Sequence, residues 1–131
     1  MSEPALAVRD SPRPILVVED DPSLQIILSY FLKRAGYTVI AANNGKEALR
    51  ILRAGVDPCL IVLDLMMPVM DGVEFMSLQL EEPRLSQLPV VLCSAAPGLE
   101  AKAAQLGAVA HVQKPFNFES LLDVVNAHRL A

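Results

Sequence analysis

Five short apolar runs recur along the chain, and their number and spacing constrain the fold more than any other feature. They cover residues 15–18, 38–41, 60–63, 90–93 and 109–112. Most are dense in Val, Ile and Leu without polar alternation, which is typical of strands buried on both faces. Strands of this kind occur in parallel sheets that are covered by helices. We therefore expect each run to form one strand of such a sheet.

Helical signals follow each run and give the connections the length that parallel pairing requires. Residues that start a helix precede these stretches, and glycines follow most of them. The predicted starts are Asp21, Asn44, Asp71 and Asn117, and the predicted stops are Gly36, Gly55 and Gly107. The fourth helix is the least regular, because Pro97-Gly98 delays its start. Five strand–helix units in series predict an α/β fold with a parallel sheet.

The first helical stretch has a clear amphipathic pattern. Its apolar residues recur at intervals of three and four, which places them on one face of a helix. They are Leu24, Ile27, Leu28, Phe31 and Leu32. This pattern is typical of a helix that packs against a core.

Length and composition indicate one well-buried domain. The chain has 131 residues, of which 53% are hydrophobic and 20% charged. A net charge of −4 offers no electrostatic footprint for direct nucleic-acid binding. The richest apolar stretch, residues 59–70, is broken by Asp64 and Pro68. It falls short of the ~20 residues that a membrane span needs, so we expect no membrane insertion. Residues 1–13 lack a signal-peptide core, and we expect a flexible leader there.

The two cysteines, Cys59 and Cys93, both lie inside apolar runs. If those runs are adjacent parallel strands, one cysteine is near the start of its strand and the other near the end. An offset of about four residues at ~3.3 Å each separates them by ~13 Å. A disulfide needs Cα atoms within about 7 Å. We therefore expect buried free thiols and a cytoplasmic, reducing compartment.

Polar side chains stand at the ends of four of the predicted strands. Glu19-Asp20-Asp21 follows the first run, Asp64 the third, Ser94 the fourth and Lys114 the fifth. In parallel sheets, ligands bind beyond the carboxyl ends of the strands. We expect these acids, the hydroxyl and the ammonium group to converge at that edge. Asp21 stands directly before Pro22, which favours a helix cap over a place in the site.

Clustered carboxylates repel one another, and a bound cation removes that repulsion. At an effective dielectric constant of 20, two charges ~4 Å apart interact by ~4 kcal/mol. Mg²⁺ prefers oxygen ligands and keeps waters and phosphate oxygens in its coordination shell. The residues therefore suit phosphoryl transfer to a carboxylate, with Lys114 and Ser94 available to the outer phosphoryl oxygens.

The sequence resembles the response-regulator receiver family from about Ile15 to the C-terminus. Four segments carry the resemblance, in order and at the expected spacings. They are Ile15-Leu16-Val17-Val18-Glu19-Asp20-Asp21, Asp64-Leu65-Met66-Met67-Pro68-Val69-Met70-Asp71-Gly72, Cys93-Ser94-Ala95 and Lys114-Pro115-Phe116. The resemblance implies a flavodoxin-like (βα)5 three-layer sandwich with a five-stranded parallel sheet of order 2-1-3-4-5. It places the receiver domain at residues 14–131.

The resemblance implies a function in two-component phosphorelay signalling. The chain is expected to accept a phosphoryl group from a sensor histidine kinase or a histidine phosphotransfer protein in a Mg²⁺-dependent reaction. Its surface is then expected to change and bind a downstream effector protein. Such a domain catalyses its own phosphorylation and dephosphorylation but turns over no external substrate, so we do not expect an enzyme in the ordinary sense.

The resemblance also assigns roles to the acidic residues. Asp64 corresponds to the phosphoacceptor. Glu19 and Asp20 correspond to the acidic pair that binds Mg²⁺, together with Asp64 and the backbone carbonyl of Met66. Lys114 corresponds to the lysine that contacts the phosphoryl group.

The remaining roles concern the response to phosphorylation. Ser94 corresponds to the hydroxyl that follows the phosphoryl group. His111 occupies the aromatic switch position, where the family more often carries tyrosine or phenylalanine; the alternative is an ordinary histidine near a strand end. In this family the bond corresponding to Lys114–Pro115 is usually cis.

Two other functions compete with this interpretation. A haloacid-dehalogenase-like phosphatase also uses a strand-end aspartate with Mg²⁺, but it requires a second aspartate two residues later as a general acid. Met66 stands at that position. A degenerate receiver that only binds partners is the second alternative. The presence of Glu19, Asp20, Asp64, Ser94 and Lys114 argues against it.

Overall fold

The computed structural model describes residues 13–131; the first twelve residues of the predicted leader lie outside that range. Five strands alternate with five helices along the described chain. In order they are β1 (Ile15–Val18), α1 (Pro22–Arg34), β2 (Val39–Ala42), α2 (Gly45–Arg53), β3 (Leu60–Leu63), α3 (Gly72–Glu81), β4 (Val90–Ser94), α4 (Leu99–Leu106), β5 (Ala110–Gln113) and α5 (Phe118–His128). A short 3₁₀ helix, Leu85–Gln87, precedes β4.

All five strands are parallel and pair in the order β2-β1-β3-β4-β5. Helices cover both faces of this sheet. Leu28 of α1 and Leu121 of α5 belong to the core on one face. Leu49 of α2, Phe75 of α3 and Leu99 of α4 belong to the core on the other. The structure confirms the flavodoxin-like three-layer fold and the predicted strand order.

The central strands are more deeply buried than the edge strands. Every residue of β1, β3 and β4 is buried, as expected for strands with helices on both faces. The edge strands β2 and β5 are only partly buried, and both begin one residue later than the apolar runs predict. Pairing with the neighbouring strand sets these limits, because Ile15 aligns with Val39 and Val91 aligns with Ala110. Val109 remains exposed outside β5.

Side-chain caps start four of the helices, as predicted. The side chains of Asp21, Asn44, Asp71 and Asn117 each accept a hydrogen bond from a backbone N–H in the first turn that follows. The start of α4 differs, because Gly98 stands at its N-cap in the left-handed conformation and supplies no side-chain acceptor. This accounts for the weak start signal of that helix.

The apolar face of α1 is wider than the part that packs against the sheet. Leu28 and Leu32 are fully buried, whereas Ile27 and Phe31 are 46% and 44% exposed. The ring of Phe31 instead lies against Phe118 at the start of α5, with ring centroids 4.1 Å apart. Helical periodicity therefore located the apolar face correctly, but only part of that face is covered in the folded chain.

Cys59 and Cys93 are both buried free thiols, as predicted. Cys59 stands just before β3 and Cys93 near the end of β4. Between residues 13 and 131, no helix is both long enough and apolar enough to cross a membrane.

Candidate functional site

Glu19 and Asp64 lie side by side because the strands that precede them are neighbours in the sheet. Val18 and Leu63, the last residues of β1 and β3, are register partners. The backbone N–H of Asp64 continues the ladder by donating to the carbonyl of Val18 at 3.1 Å. Both acids are buried, with exposed fractions of 3% for Glu19 and 6% for Asp64.

Lys114 reaches these two carboxylates from the edge strand of the sheet. It follows β5, and its backbone N–H donates to the carbonyl of Ser94 at 2.9 Å. Its Nζ donates to Glu19 Oε1 at 2.8 Å and to Asp64 Oδ2 at 3.1 Å. The peptide bond between Lys114 and Pro115 is cis, as the resemblance implied.

Three carboxylates form a cluster that suits a divalent cation. One oxygen from each of Glu19, Asp20 and Asp64 lies within 4.8 Å of the others. Asp20 is the most accessible to solvent of the three. Lys114 contributes one positive charge against three negative charges, and the oxygen donors are those that Mg²⁺ prefers. The side chains present at this edge therefore fit a hard divalent cation.

Burial and ion pairing act in opposite directions on the charged groups of the site. Burial raises the pKa of Glu19, and its bonds to Lys114 and to the Asp21 N–H offset this only in part, so the pKa stays above its ordinary value. Burial lowers the pKa of Lys114, but its bonds to Glu19 and Asp64 raise it by more. Lys114 is therefore positively charged at neutral pH.

Backbone N–H groups hold the remaining oxygens of the two buried acids. The N–H of Met66 donates to Asp64 Oδ1 at 3.1 Å, and the N–H of Asp21 donates to Glu19 Oε2 at 3.2 Å. The carboxylate of Asp21 itself accepts from the N–H groups of Ser23 and Leu24. Asp21 therefore caps α1, as its position before Pro22 predicts. The side chain of Met66 points away from the core and is 62% exposed.

Ser94 and His111 lie outside the acidic cluster. Ser94 is the last residue of β4 and is fully buried, and its hydroxyl accepts a hydrogen bond from the Ala96 N–H at 3.2 Å. His111 lies on β5 as the register partner of Leu92, so it faces the same side of the sheet as α4. The structure thus brings Glu19, Asp20, Asp64 and Lys114 together and places His111 further back along the sheet.

Sequence reasoning missed the close contact that Gly72 makes with Asp64. A Cβ atom at Gly72 would lie 2.7 Å from the carbonyl oxygen of Asp64 and 2.8 Å from Leu65 Cα. Both neighbours are backbone atoms and cannot move aside easily. Nothing in the local sequence of Gly72 indicates how close the strand end is.

Gln25 is a second residue that sequence reasoning missed. Its side-chain amide donates to the backbone carbonyl of Glu19 at 2.9 Å. The only signal in the sequence is a polar amide one turn after the Asp21 cap, beside the apolar face of α1. Such residues are common on helix surfaces, so the signal does not single out Gln25.

Residues 15–126 match the family described as response regulator receiver domain. The alkaline phosphatase synthesis transcriptional regulatory protein PhoP of Bacillus subtilis is 40% identical over 108 residues, which cover 80% of this chain and 43% of PhoP. Protein PilG of Pseudomonas aeruginosa is 32% identical over 116 residues, which cover 87% of this chain and 85% of PilG. The chain therefore spans less than half the length of PhoP but most of the length of PilG.

Solved structures that are 29% to 30% identical in sequence share this fold. The chemotaxis protein CheY4 of Vibrio cholerae superposes with a TM-score of 0.80 at 30% identity, covering 88% of this chain and 97% of that one. The response regulator TrrA of Thermotoga maritima, solved in complex with Mg(2+)-BeF, superposes with a TM-score of 0.79 at 29% identity, covering 88% and 98%. The family match and the shared fold are consistent with the cluster of three carboxylates at the carboxyl edge of the sheet. The chain belongs to the receiver-domain family of two-component response regulators, whose members are generally phosphorylated on an aspartate.

Proposed function

We propose that this chain accepts a phosphoryl group on Asp64 from a phosphohistidine, in a reaction that requires Mg²⁺. The donor is a sensor histidine kinase or a histidine phosphotransfer protein. The observation that carries the proposal is the position of the Asp64 carboxylate, which is bonded to Lys114 and clustered with Glu19 and Asp20 at the carboxyl edge of the sheet. TrrA, which has the same fold, was solved in complex with Mg(2+)-BeF.

The proposed step is an in-line displacement at phosphorus. A carboxylate oxygen of Asp64 attacks, the P–N bond to the donor histidine breaks, and the imidazole leaves with the electron pair and takes up a proton. Phosphoryl transfer depends mainly on positioning and on charge stabilisation. Lys114 stays protonated and balances charge on the outer phosphoryl oxygens, while the Met66 N–H fixes the orientation of the Asp64 carboxylate.

We assign the cation to Glu19, Asp20 and Asp64, with the backbone carbonyl of Met66 as a further ligand. When bound, a divalent cation supplies positive charge that offsets the crowded carboxylates and the incoming phosphoryl oxygens. Glu19 and Asp64 are held in place by Lys114 and by backbone N–H groups before any cation arrives. Asp20 is the more accessible ligand.

The proposed response begins at Ser94. Its hydroxyl accepts a hydrogen bond from Ala96 in the loop between β4 and α4, so a phosphoryl group on Asp64 offers its proton a new acceptor. Movement of this loop would then reach His111, which faces the side of the sheet that carries α4. The changed surface is proposed to bind a downstream effector protein.

An apolar groove beside the acceptor supports docking of a protein donor. It is lined by Leu24 and Ile27 of α1 and by Pro115 and Phe116, which directly follow Lys114. A donor helix that carries the phosphohistidine requires an apolar surface within reach of Asp64. We propose this groove for that contact.

The direct test is phosphorylation of Asp64→Asn by acetyl phosphate with Mg²⁺. An amide is a much weaker nucleophile than a carboxylate, so we expect the variant to fold but to incorporate no phosphate, as measured by intact-protein mass spectrometry. Asp123→Asn, at an exposed position of α5, is the matched control and should be labelled like the wild type. Stoichiometric labelling of Asp64→Asn would refute the acceptor assignment.

The cation assignment is tested by the double variant Glu19→Gln with Asp20→Asn. It removes two of the three carboxylates while keeping side-chain size, so we expect Mg²⁺ binding by calorimetry to fall below detection and phosphorylation to fall with it. A titration curve identical to that of the wild type would exclude these residues as ligands.

A further inference from the structure

Gln25 connects three segments of the chain through a single side-chain amide. Its Nε2 lies 2.9 Å from the carbonyl oxygen of Glu19, 3.2 Å from that of Ala42 and 3.0 Å from Asn43 Oδ1. The amide has two hydrogens for three acceptors, so at least one hydrogen is shared. Gln25 therefore ties α1 to the residue after β1 and to the end of β2.

These bonds complete the immobilisation of Glu19. Its backbone N–H donates to the Ala42 carbonyl at 3.1 Å, and its own carbonyl accepts from Gln25. Its carboxylate oxygens are held by Lys114 and by the Asp21 N–H. Within residues 13–131, every polar group of Glu19 has a partner, and Gln25 is the only side chain that holds its carbonyl.

The carbonyl of Glu19 belongs to the peptide unit that joins Glu19 to Asp20. A peptide unit is planar, so fixing the direction of this carbonyl fixes the plane from which the Asp20 backbone departs. Asp20 is the most accessible member of the carboxylate cluster. Among the described residues, Gln25 supplies the side-chain bond to the carbonyl that precedes it. Gln25 therefore restrains the peptide unit from which the Asp20 residue departs.

We propose that Gln25 is a positioning residue for the cation site. It does not contact the cation; it holds the Glu19–Asp20 peptide so that the Asp20 carboxylate lies near those of Glu19 and Asp64. The inference rests on the proposed function, because it assumes that these carboxylates bind Mg²⁺. It adds a residue on α1 that no feature of the acidic cluster itself would identify.

Two substitutions separate positioning from simple electrostatics. Gln25→Met keeps the length of the side chain and the helix propensity but removes the donor. Gln25→Glu adds a carboxylate close to the cluster, which on charge alone would strengthen Mg²⁺ binding. The new carboxylate would face two carbonyl oxygens and repel them, so positioning predicts weaker binding instead. Gln105→Met, at an exposed position of α4, is the matched control.

The experiment measures Mg²⁺ binding by calorimetry and, separately, the rate of phosphorylation by acetyl phosphate at increasing Mg²⁺ concentration. Without the amide, the Glu19–Asp20 peptide can adopt other orientations in the free protein and must be reordered when the cation binds. If this costs about as much as the bonds that are lost, Mg²⁺ affinity should be about tenfold weaker for Gln25→Met. Gln25→Glu should also bind more weakly than the wild type. The phosphorylation rate at saturating Mg²⁺ should stay near that of the wild type, because excess cation restores occupancy of the site. Gln105→Met should be unchanged.

Several outcomes would overturn the inference. One is wild-type affinity in Gln25→Met; another is tighter binding in Gln25→Glu, which would leave charge as the only influence. A lower phosphorylation rate at saturating Mg²⁺ with unchanged Mg²⁺ affinity would indicate a purely structural role. Loss of folding in Gln25→Met, together with normal Mg²⁺ binding in Gln25→Glu, would indicate the same. Absence of Mg²⁺ binding in the wild-type protein would instead contradict the proposed function.

Discussion

If Asp64 is the phosphoacceptor, as proposed, we expect the side chains two residues after Asp64 and two residues after Ser94 to influence how long the phosphoryl group remains there. Hydrolysis of an acyl phosphate requires a water molecule in line with the phosphorus, and catalysis depends on orienting that water. Met66 and Ala96 stand two residues after Asp64 and two after Ser94, respectively. Met66 presents a thioether and is 62% exposed, and Ala96 presents only a methyl group. Neither side chain can orient a water molecule by a strong hydrogen bond.

We therefore predict slow self-dephosphorylation, with removal of the signal left to a partner phosphatase or to transfer back to the donor. Replacing both residues with polar groups, Met66→Asn with Ala96→Glu, should accelerate phosphate loss roughly tenfold to a hundredfold, since positioned acid–base groups typically contribute at least that much. The measurement is loss of phosphate from purified phosphoprotein over time.

The control for this experiment is Leu80→Asn, an exposed apolar position on α3. It should leave the lifetime unchanged. Rapid phosphate loss in the wild type, or no acceleration in the double variant, would contradict the prediction.

At the scale of secondary-structure elements, the loop between β3 and α3 is under backbone strain. Val69 has a φ of 71°, in the left-handed region that β-branched residues rarely adopt, and its side chain is 74% exposed. Backbone hydrogen bonds hold both ends of the loop in place. The Gly72 N–H donates to the Leu65 carbonyl at 2.9 Å, and the Gly45 N–H donates to the Met70 carbonyl at 3.1 Å. These anchors hold Val69 in its strained conformation.

Val69→Asn is predicted to stabilise the fold by about 1 kcal/mol. Asparagine tolerates the left-handed region better than valine does, and the exposed valine loses little burial when replaced. The free energy of unfolding from a urea titration provides the measurement.

Val109→Asn is the comparison, because Val109 is an exposed valine without a positive φ. That variant should show no gain in stability. Equal effects of the two substitutions would mean that the strain at Val69 does not contribute to stability.

At the scale of the whole molecule, burial of the two cysteines makes the free energy of unfolding fall as the pH rises in the alkaline range. Burial raises the pKa of the Cys93 thiol from 9.0 to about 12, and burial also raises the pKa of Cys59. Below pH 9 the Cys93 thiol is protonated in both the folded and the unfolded chain, so its contribution is intact. Between pH 9 and about 12 only the unfolded chain releases the proton, and the free energy of unfolding falls.

Comparison with Cys93→Ala isolates this effect from other groups that titrate in alkali. At pH 7.5 the variant should be less stable than the wild type, because it lacks a buried sulfur. Above pH 9 the difference in the free energy of unfolding between the wild type and the variant should narrow by about 1.4 kcal/mol per pH unit. The reason is that only the wild type loses stability through this thiol. Urea unfolding at pH 7.5, 9 and 10 measures the difference. A difference that is constant with pH would rule out the buried, protonated thiol.

The sequence by itself determined the features that depend on neighbouring residues. The caps at Asp21, Asn44 and Asp71 were predictable because each interaction spans two or three residues. The convergence of acids at one sheet edge was also predictable, because the carboxyl ends of parallel strands meet there. The proximity of Glu19 and Asp64 could be predicted from their positions directly after β1 and β3.

The tertiary structure decided which distant residues meet and how closely. The bond from Lys114 to Glu19 joins residues 95 apart, and the bond from Gln25 to Asn43 joins residues 18 apart. The sequence predicts that Lys114 and Glu19 reach the same edge of the sheet, but not that they bond directly. The approach of Gln25 to Asn43 leaves no periodic or local signal, because it depends on how α1 lies across the sheet. The exposure of Phe31 has the same origin. Periodicity places a side chain on a face of its helix, but only packing decides what covers that face.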